Sequence, residues 1–236
     1  MLLGVNIDHV ATLRNARGGS EPNVIKAAEI CENNGGTSIT THLREDRRHI
    51  KDEDVRTLIK TIKTKLNLEM AMADDIQKIA LEINPHSICL VPEKRQEITT
   101  EGGLDVAGQI ERVTNFIKPL IDAGIVVSLF IDPDTKQVES AAKTGAQFIE
   151  MHTGRYSEAY GTQNEEEEFQ NLKHASELAH KLGLKVNAGH GLNYENVHRM
   201  HEIPDLYELN IGHSIISRAV FTGLANAVRE MADLIK

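Results

Sequence analysis

The chain has 236 residues, which is enough for one large domain or two small ones. Only 4% of its residues are aromatic and none is Trp, which disfavours a protein that stacks bases or sugars on aromatic platforms. With 26 Lys and Arg against 35 Asp and Glu, the net charge is -9, which argues against a general nucleic-acid or anionic-membrane surface. Any anion that binds must therefore be held by a local site.

The cysteines and the apolar runs indicate a reducing compartment. Cys31 and Cys89 lie in apolar stretches, a sparse usage that predicts buried thiols and no disulfide. No apolar run approaches the ~18 residues of a membrane span, and the N-terminus has no basic leader region. We therefore expect a cytoplasmic protein with neither a membrane nor a nucleic acid as partner.

Short apolar runs alternate with longer amphipathic stretches along the chain, as in a parallel sheet covered by helices. Strands that are buried on both faces are nearly continuously apolar. Eight strands are predicted on this basis: Leu2–Asp8, Ser38–His42, Leu66–Ala71, Ser87–Val91, Ile125–Ile131, Phe148–His152, Lys185–Ala188 and Tyr207–Ile211.

The segments between these strands have helical patterns with typical helix boundaries. They predict helices over Pro22–Asn34, Asp52–Lys65, Asp74–Ile83, Asp105–Ala123, Asp134–Lys143, Glu165–Leu182 and Asn193–His201. In the last segment, apolar residues from Ile216 to Ile235 recur at spacings of four and three, which is one face of a further helix.

Eight strand and helix units predict an α/β fold, a single (β/α)8 TIM barrel whose usual size is roughly 250 residues. No Pro- or Ser-rich linker divides the series, so residues 1–236 are expected to form one catalytic domain. An open, doubly wound sheet is the alternative, because it has the same alternation of elements.

Polar side chains end nearly every predicted strand, where ligands bind in both architectures. Histidines end five of them: His9, His42, His152, His190 and His213. Asn6 and Asp8 are two residues apart, as are Asn67 and Glu69, so each pair is expected to face one side of its strand. Such groups are costly inside a barrel unless they are hydrogen-bonded or used by the reaction.

Two places have the composition of phosphate sites. The segments 189–191 and 212–214, Gly-His-Gly and Gly-His-Ser, follow strands seven and eight, where backbone N–H groups at a helix start can face an anion. The segment 42–49 holds three Arg and two His, although Glu45 and Asp46 could make it an ion-paired surface loop instead. Two anion sites predict one substrate with two phosphates or two phosphorylated substrates.

Several reaction classes can be weighed by the residues they require. A Schiff-base enzyme is disfavoured, since its candidate Lys94 is flanked by acids that would keep it protonated. No phosphate-binding Walker loop or dinucleotide fingerprint occurs. A zinc hydrolase using the strand-end histidines remains open, although no strand has the His-x-His spacing. A non-catalytic phosphosugar-binding protein is the third possibility.

Six parts of the chain between residues 4 and 213 have longer recognisable strings: Gly4–Arg17, His42–His49, Asn67–Met70, Leu90–Glu97 with Thr99–Asp105, Val186–Gly191 and Glu208–His213. In these strings the chain resembles the pyridoxine 5'-phosphate synthase family. The resemblance implies a (β/α)8 barrel that assembles as an octamer, without metal or cofactor. It also implies condensation of 1-deoxy-D-xylulose 5-phosphate with 3-amino-2-oxopropyl phosphate to pyridoxine 5'-phosphate, inorganic phosphate and water.

The resemblance also implies roles for individual residues. His42 and Glu69 match proton acceptors, His190 matches a proton donor, and Glu150 matches a transition-state stabiliser. The positions that hold the aminoketone phosphate are matched by Asn6, Arg17, Gly191, Gly212 and His213. Those that hold the deoxyxylulose phosphate are matched by Asp8, His9, Arg44, His49 and Thr99. Ring closure consists mostly of proton transfers, which suits a site rich in histidine and carboxyl groups.

Overall fold

A computed structural model describes residues 1–93 and 102–236, in which eight parallel strands close into a barrel in chain order. The strands are β1 (Leu2–Asn6), β2 (Ser38–His42), β3 (Lys65–Met70), β4 (Ser87–Leu90), β5 (Val126–Ile131), β6 (Phe148–His152), β7 (Lys185–Gly189) and β8 (Leu206–Ile211). β1 pairs with both β2 and β8, with Leu3 opposite Leu209 at the closing seam. The predicted (β/α)8 barrel is confirmed, and the open-sheet alternative is wrong.

Helices surround this barrel. They are α1 (Asp8–Arg17), α2 (Val24–Asn33), α3 (Asp52–Thr61), α4 (Asp74–Ile83), α5 (Ile110–Asp122), α6 (Thr135–Ala142), α7 (Gly154–Ala159), α8 (Glu165–Lys181), α9 (His213–Thr222) and α10 (Leu224–Leu234), with a 3₁₀ helix at Val197–Glu202. Local capping explains several starts: the Asn23 side chain accepts a hydrogen bond from the Lys26 N–H at the start of α2, and Asp134 accepts from Gln137 at α6.

The helices differ from the sequence prediction at both ends of the chain. Asp8, predicted as the end of the first strand, begins α1, because the side-chain oxygen of Asn6 accepts the Asp8 N–H and turns the backbone there. The final helix is two helices separated by Gly223, whose φ of 79° lies in the left-handed region. The short helix α7 was not predicted either.

Three predicted helices are clearly shorter or of another type than expected. The helix predicted over Asp52–Lys65 ends at Thr61, and Lys65 already belongs to β3. The helix predicted over Asp105–Ala123 begins only at Ile110. The segment Asn193–His201 forms a 3₁₀ helix from Val197 to Glu202. Patterns of apolar residues locate such segments but do not distinguish these helix types or fix their first turns.

The strands have an apolar outer face and a polar inner face. Because successive side chains point to opposite sides of a strand, Leu66, Leu68 and Met70 of β3 pack in the main apolar cluster with the helices. Asn67 and Glu69 of the same strand point into the barrel, where they meet polar groups from other strands. The core therefore lies between sheet and helices, and the barrel centre is polar.

Hydrogen bonds link the polar groups inside the barrel. Ser87 Oγ donates to Asn67 Oδ1 at 3.0 Å, and Thr40 Oγ1 donates to Asn210 Oδ1 at 2.9 Å. Asn210 Nδ2 in turn donates to Glu150 Oε2 at 2.6 Å. These bonds offset the cost of burying polar groups, and they fix the side-chain positions below the open end of the barrel.

The cysteines and the helix lengths bear on two sequence predictions. Cys31 and Cys89 are buried free thiols, as predicted. None of the helices in the described parts of the chain has the length and apolar composition that crossing a membrane requires.

Replacing Leu68 by Ala should lower the free energy of unfolding by about 2–5 kcal/mol, since Leu68 is fully buried between β3 and the helices. Leu182→Ala serves as the matched control, because Leu182 is 43% exposed and its loss should cost no more than about 1 kcal/mol. Urea unfolding monitored by circular dichroism measures both. Equal losses would contradict the location of the core.

Candidate active site

A cavity of about 800 Å³ opens at the carboxyl ends of the strands. Twelve of the fourteen predicted site residues line it: Asn6, Asp8, His9, His42, Arg44, His49, Glu69, Glu150, His190, Gly191, Gly212 and His213. Arg17, the last residue of α1, is exposed and does not line this cavity. Thr99 lies outside the described residues, as does Lys94, the lysine considered for a Schiff base.

His42, at the end of β2, lies between two carboxyl groups. Its Nε2 is 2.7 Å from Glu93 Oε1, and its Nδ1 is 3.9 Å from Glu69 Oε2. The backbone N–H of His42 donates to Asp8 Oδ1 at 2.9 Å. Three strand ends thus meet at this imidazole, and the start of α1 holds the His42 backbone.

Asn6 and Asp8 face the cavity together, as the sequence predicted, although only Asn6 belongs to a strand. Asn6 Nδ2 donates to Asp8 Oδ2 at 2.8 Å. His9 follows in α1 and makes an edge-on ring contact with His213, the first residue of α9, at 5.1 Å between centroids. The pKa of His9 is lowered by burial and by His213, against an opposing effect of Asp8.

Two carboxyl groups lie deep in the cavity: Glu150 is buried, and Glu69 is mostly buried. Burial raises the pKa of Glu69 well above its ordinary value, and the neighbouring Asp8 and Glu150 raise it further, while a hydrogen bond with Asn6 lowers it. Burial also raises the pKa of Glu150 to about 7, although the hydrogen bond from Asn210 opposes this change. Glu150 can therefore hold or release a proton near neutral pH.

His190 lies on the strained loop after β7. Its φ of 81° is in the left-handed region, which a residue with a Cβ rarely adopts, and Gly191 follows at 78°. Thr153 holds this loop by donating its hydroxyl proton to the carbonyl oxygens of Gly189 and His190. Strain that is maintained by its surroundings is typical of functional sites. Burial and the nearby His152 lower the pKa of His190 to about 4.

His152 supports His190 from outside the cavity lining. The two rings are 5.0 Å apart in an edge-on contact, and His152 Nδ1 is 3.1 Å from Asp132 Oδ1. The same Asp132 oxygen accepts the backbone N–H of Gly103 at 3.0 Å. The sequence marked His152 as a strand-end histidine, whereas Asp132 was missed although it directly follows the predicted strand Ile125–Ile131.

The segment 42–49 contains surface ion pairs and also one arginine that faces the cavity, so it has features of both a surface loop and an anion site. Arg47 is ion-paired with Asp52 at 2.6 Å, and Arg48 with Asp46 at 2.6 Å, as expected of a surface loop. Arg44 instead lines the cavity and is only 4% exposed. Its Nε lies 3.5 Å from Asp46 Oδ1 but makes no hydrogen bond among the described residues. A buried guanidinium of this kind is suited to an anionic ligand.

The second predicted anion site lies at the start of α9. This helix has ten residues and begins at His213, directly after Gly212, and both residues line the cavity. The first N–H groups of a helix lack partners within it and carry the positive end of the helix dipole. The start of α9 and Arg44 therefore provide two separate places for negative charge in one cavity.

Glu93 is the main site residue that sequence reasoning missed. It follows β4, and it was considered only as a neighbour of Lys94, although its position after a strand is the same signal that marked the other site residues. Within residues 1–93 and 102–236, no three His, Cys, Asp or Glu side chains are grouped so that they could hold a metal ion. The zinc-hydrolase alternative gains no support from this part of the chain.

Glu150→Gln should change how stability depends on pH. A carboxyl group whose folded-state pKa is raised from 4.5 to about 7 stabilises the fold most below pH 4.5, and this contribution is lost as pH rises to 7. The native chain should therefore lose up to about 3 kcal/mol of unfolding free energy relative to the neutral variant between pH 4.5 and 8. Urea unfolding at both pH values measures this difference, and parallel pH dependences would contradict the raised pKa.

Comparisons with known proteins identify the family of this chain. The family model described as pyridoxal phosphate biosynthesis protein PdxJ matches residues 3–236. Pyridoxine 5'-phosphate synthase of Photobacterium profundum is 57% identical over 231 residues, covering 98% of this chain and 95% of the relative. The synthase of Geotalea daltonii is 56% identical over 234 residues, covering 99% and 98%.

Solved structures of lower identity share the fold. KGPDC from Streptococcus mutans superposes with a TM-score of 0.68 at 15% identity, covering 99% of this chain and 96% of that one. Thiamine phosphate pyrophosphorylase from Pyrococcus furiosus gives 0.62 at 13%, covering 99% and 95%. These likenesses show the barrel alone. The family model and the relatives of more than half identity show that the chain is an enzyme and belongs to the PdxJ family of pyridoxal phosphate biosynthesis proteins.

Proposed function

We propose that the enzyme condenses 1-deoxy-D-xylulose 5-phosphate with 3-amino-2-oxopropyl phosphate and closes the pyridine ring of pyridoxine 5'-phosphate by acid and base catalysis, without a metal or cofactor. The observation that carries the proposal is the cavity in which His42 lies between Glu69 and Glu93, with anion-binding groups on two sides. Family membership and the names of its relatives support the same reaction.

The two phosphates bind at different edges of the cavity. Arg44 and His49, with Asp8 and His9 nearby, take the deoxyxylulose phosphate, and the buried Arg44 guanidinium provides the positive charge. The aminoketone phosphate binds to the backbone N–H groups at Gly212 and His213, with Gly191 and Asn6 alongside. Thr99 and Arg17 join these sets by resemblance alone.

Glu69 and His42 transfer protons to and from the substrates. The amine of one substrate attacks the ketone of the other, and water leaves to form an imine, so no enzyme lysine is needed. Closing and aromatising the ring then requires protons to be removed from carbon and oxygen. The raised pKa of Glu69 makes its carboxylate a stronger base than an ordinary glutamate, and His42 is 3.9 Å away to share the proton.

His190 and Glu150 act on the charges that develop. The pKa of His190 of about 4 keeps this imidazole neutral in the empty cavity, and a bound phosphate dianion beside it would raise that pKa. In this way His190 acquires the proton that it donates to a leaving oxygen only when substrate is present. A developing cation near Glu150 lowers the pKa of Glu150 from about 7 and so favours the carboxylate that stabilises it.

We expect the chain to act as one catalytic domain of residues 1–236 in the cytoplasm, and the family resemblance implies that it assembles as an octamer. Val220 and Phe221, at the end of α9, support self-association, because they are 68% and 89% exposed in the single chain. Adjacent apolar side chains in water are typical of a surface that another subunit covers.

Glu69→Gln should abolish turnover and leave the binding of both substrates nearly unchanged, since the amide has the shape of the carboxyl group but cannot accept a proton. Formation of pyridoxine 5'-phosphate from the two substrates measures turnover, and calorimetry measures binding. The control is Glu139→Gln on the exposed side of α6, which should retain full activity. Near-normal turnover of the Glu69 variant would contradict its role, and loss of wild-type activity to a chelator would favour metal chemistry.

Arg44→Ala should raise KM for 1-deoxy-D-xylulose 5-phosphate by about 10- to 100-fold, because a charge-assisted contact to phosphate contributes roughly 1.5–3 kcal/mol. KM for the aminoketone phosphate should change little, since its phosphate lies at the start of α9. Steady-state kinetics with each substrate varied in turn measures both values. An equal rise in the two KM values would contradict the assignment of the two edges.

A further inference from the structure

Glu93 contacts His42 more closely than any group given a role above. The 2.7 Å contact joins Glu93 Oε1 to His42 Nε2, and the two side chains are only 5% and 7% exposed. The other Glu93 oxygen, Oε2, accepts the backbone N–H of Glu45 at 3.1 Å. Both carboxylate oxygens are thus occupied, and the side chain is fixed relative to the imidazole.

The charge of Glu93 decides which atom holds the proton in this contact. Burial alone would raise the pKa of Glu93, but the hydrogen bond and charge of His42, the Glu45 N–H and the nearby Arg44 together lower it below its ordinary value. An ionised carboxylate can only accept hydrogen bonds. His42 must therefore donate through Nε2, and its Nδ1 remains unprotonated when the ring is neutral.

Other titratable groups also lie near the His42 imidazole. Glu69 Oε2 lies 3.9 Å from Nδ1, and the His49 ring lies 5.9 Å away between centroids. Asp8 engages only the backbone N–H of His42. Glu93 is the one hydrogen-bonding partner of Nε2 within the described residues, so it alone there fixes the tautomer and the orientation of the ring.

We propose that Glu93 is a positioning residue that holds His42 as the Nε2–H tautomer, so that the Nδ1 lone pair faces Glu69 and the substrate. The inference rests on the proposed function, since it assumes that His42 accepts a proton during ring closure. When Nδ1 takes a proton from the substrate, the imidazolium is stabilised by Glu93, which keeps its charge and receives no proton. In catalytic triads, too, the histidine accepts the proton and the carboxylate orients and stabilises it.

Neutron diffraction from perdeuterated wild-type crystals tests the first half of the proposal without any variant. Deuterium on Nε2 of His42, directed at Glu93, is the expected result. A neutral ring with deuterium on Nδ1 only would overturn the proposal. This measurement needs no substrate, so it remains decisive even if the wild-type enzyme fails to form pyridoxine 5'-phosphate and the proposed function is wrong.

Kinetics of Glu93→Gln and Glu93→Ala test the second half. We expect kcat to fall about 10- to 100-fold in both, with KM for each substrate nearly unchanged, as is typical when the partner of a catalytic histidine is lost. In Glu93→Gln the acidic limb of the kcat/KM profile should move to lower pH, because the imidazolium loses the carboxylate that stabilises its charge.

Glu45→Gln is the matched control. It removes one negative charge from the exposed side chain next to the same contact and keeps the backbone N–H that binds Glu93, so its kcat and pH profile should equal those of the wild type. An unchanged kcat in both Glu93 variants, or a rise in KM at constant kcat, would overturn the proposal. If a Glu93 variant does not fold, the neutron result on the wild type decides.

Discussion

The closure of eight strands into one barrel is the constraint on which the site depends. Every inward side chain of a closed barrel is shut off from water on most sides, and in this chain most of those side chains are polar. Many of them are held by hydrogen bonds between strands, as when Thr40 on β2 binds Asn210 on β8. The hydrophobic stabilisation of the fold comes instead from the apolar layer between the outer strand faces and the helices.

The burial of site residues inside the barrel shifts their pKa values. Glu69 and Glu150 belong to different strands, and what raises the pKa of each is first of all its burial within the barrel. The same burial lowers the pKa of His9, His49 and His190. One property of the interior, low solvation, thus raises the pKa of the acids and lowers the pKa of the bases, because it disfavours the charged form of each.

The sequence predicted the site best where a polar residue stands at the end of a predicted strand. Strand-end His42, Glu69 and His190 could be recognised because parallel strands bring their carboxyl ends together. Glu93 and Asp132 could not be recognised as partners of His42 and His152, because those contacts join elements that are distant in the chain. The start of α1 at Asp8 was missed for a local reason, since the Asn6 side chain ends the strand while the apolar pattern continues.

The hydrogen bond from Asn210 to Glu150 joins the last strand to the sixth, and it has a consequence for the order of assembly. During synthesis, β6 emerges well before β8, so Glu150 lacks its amide partner until the final strand has inserted beside β1. A chain interrupted before residue 210 would leave the seam open, and water could reach the carboxyl group. The pKa of Glu150 on β6 therefore depends on Asn210 of β8 as well as on burial, and both are in place only when the barrel is closed.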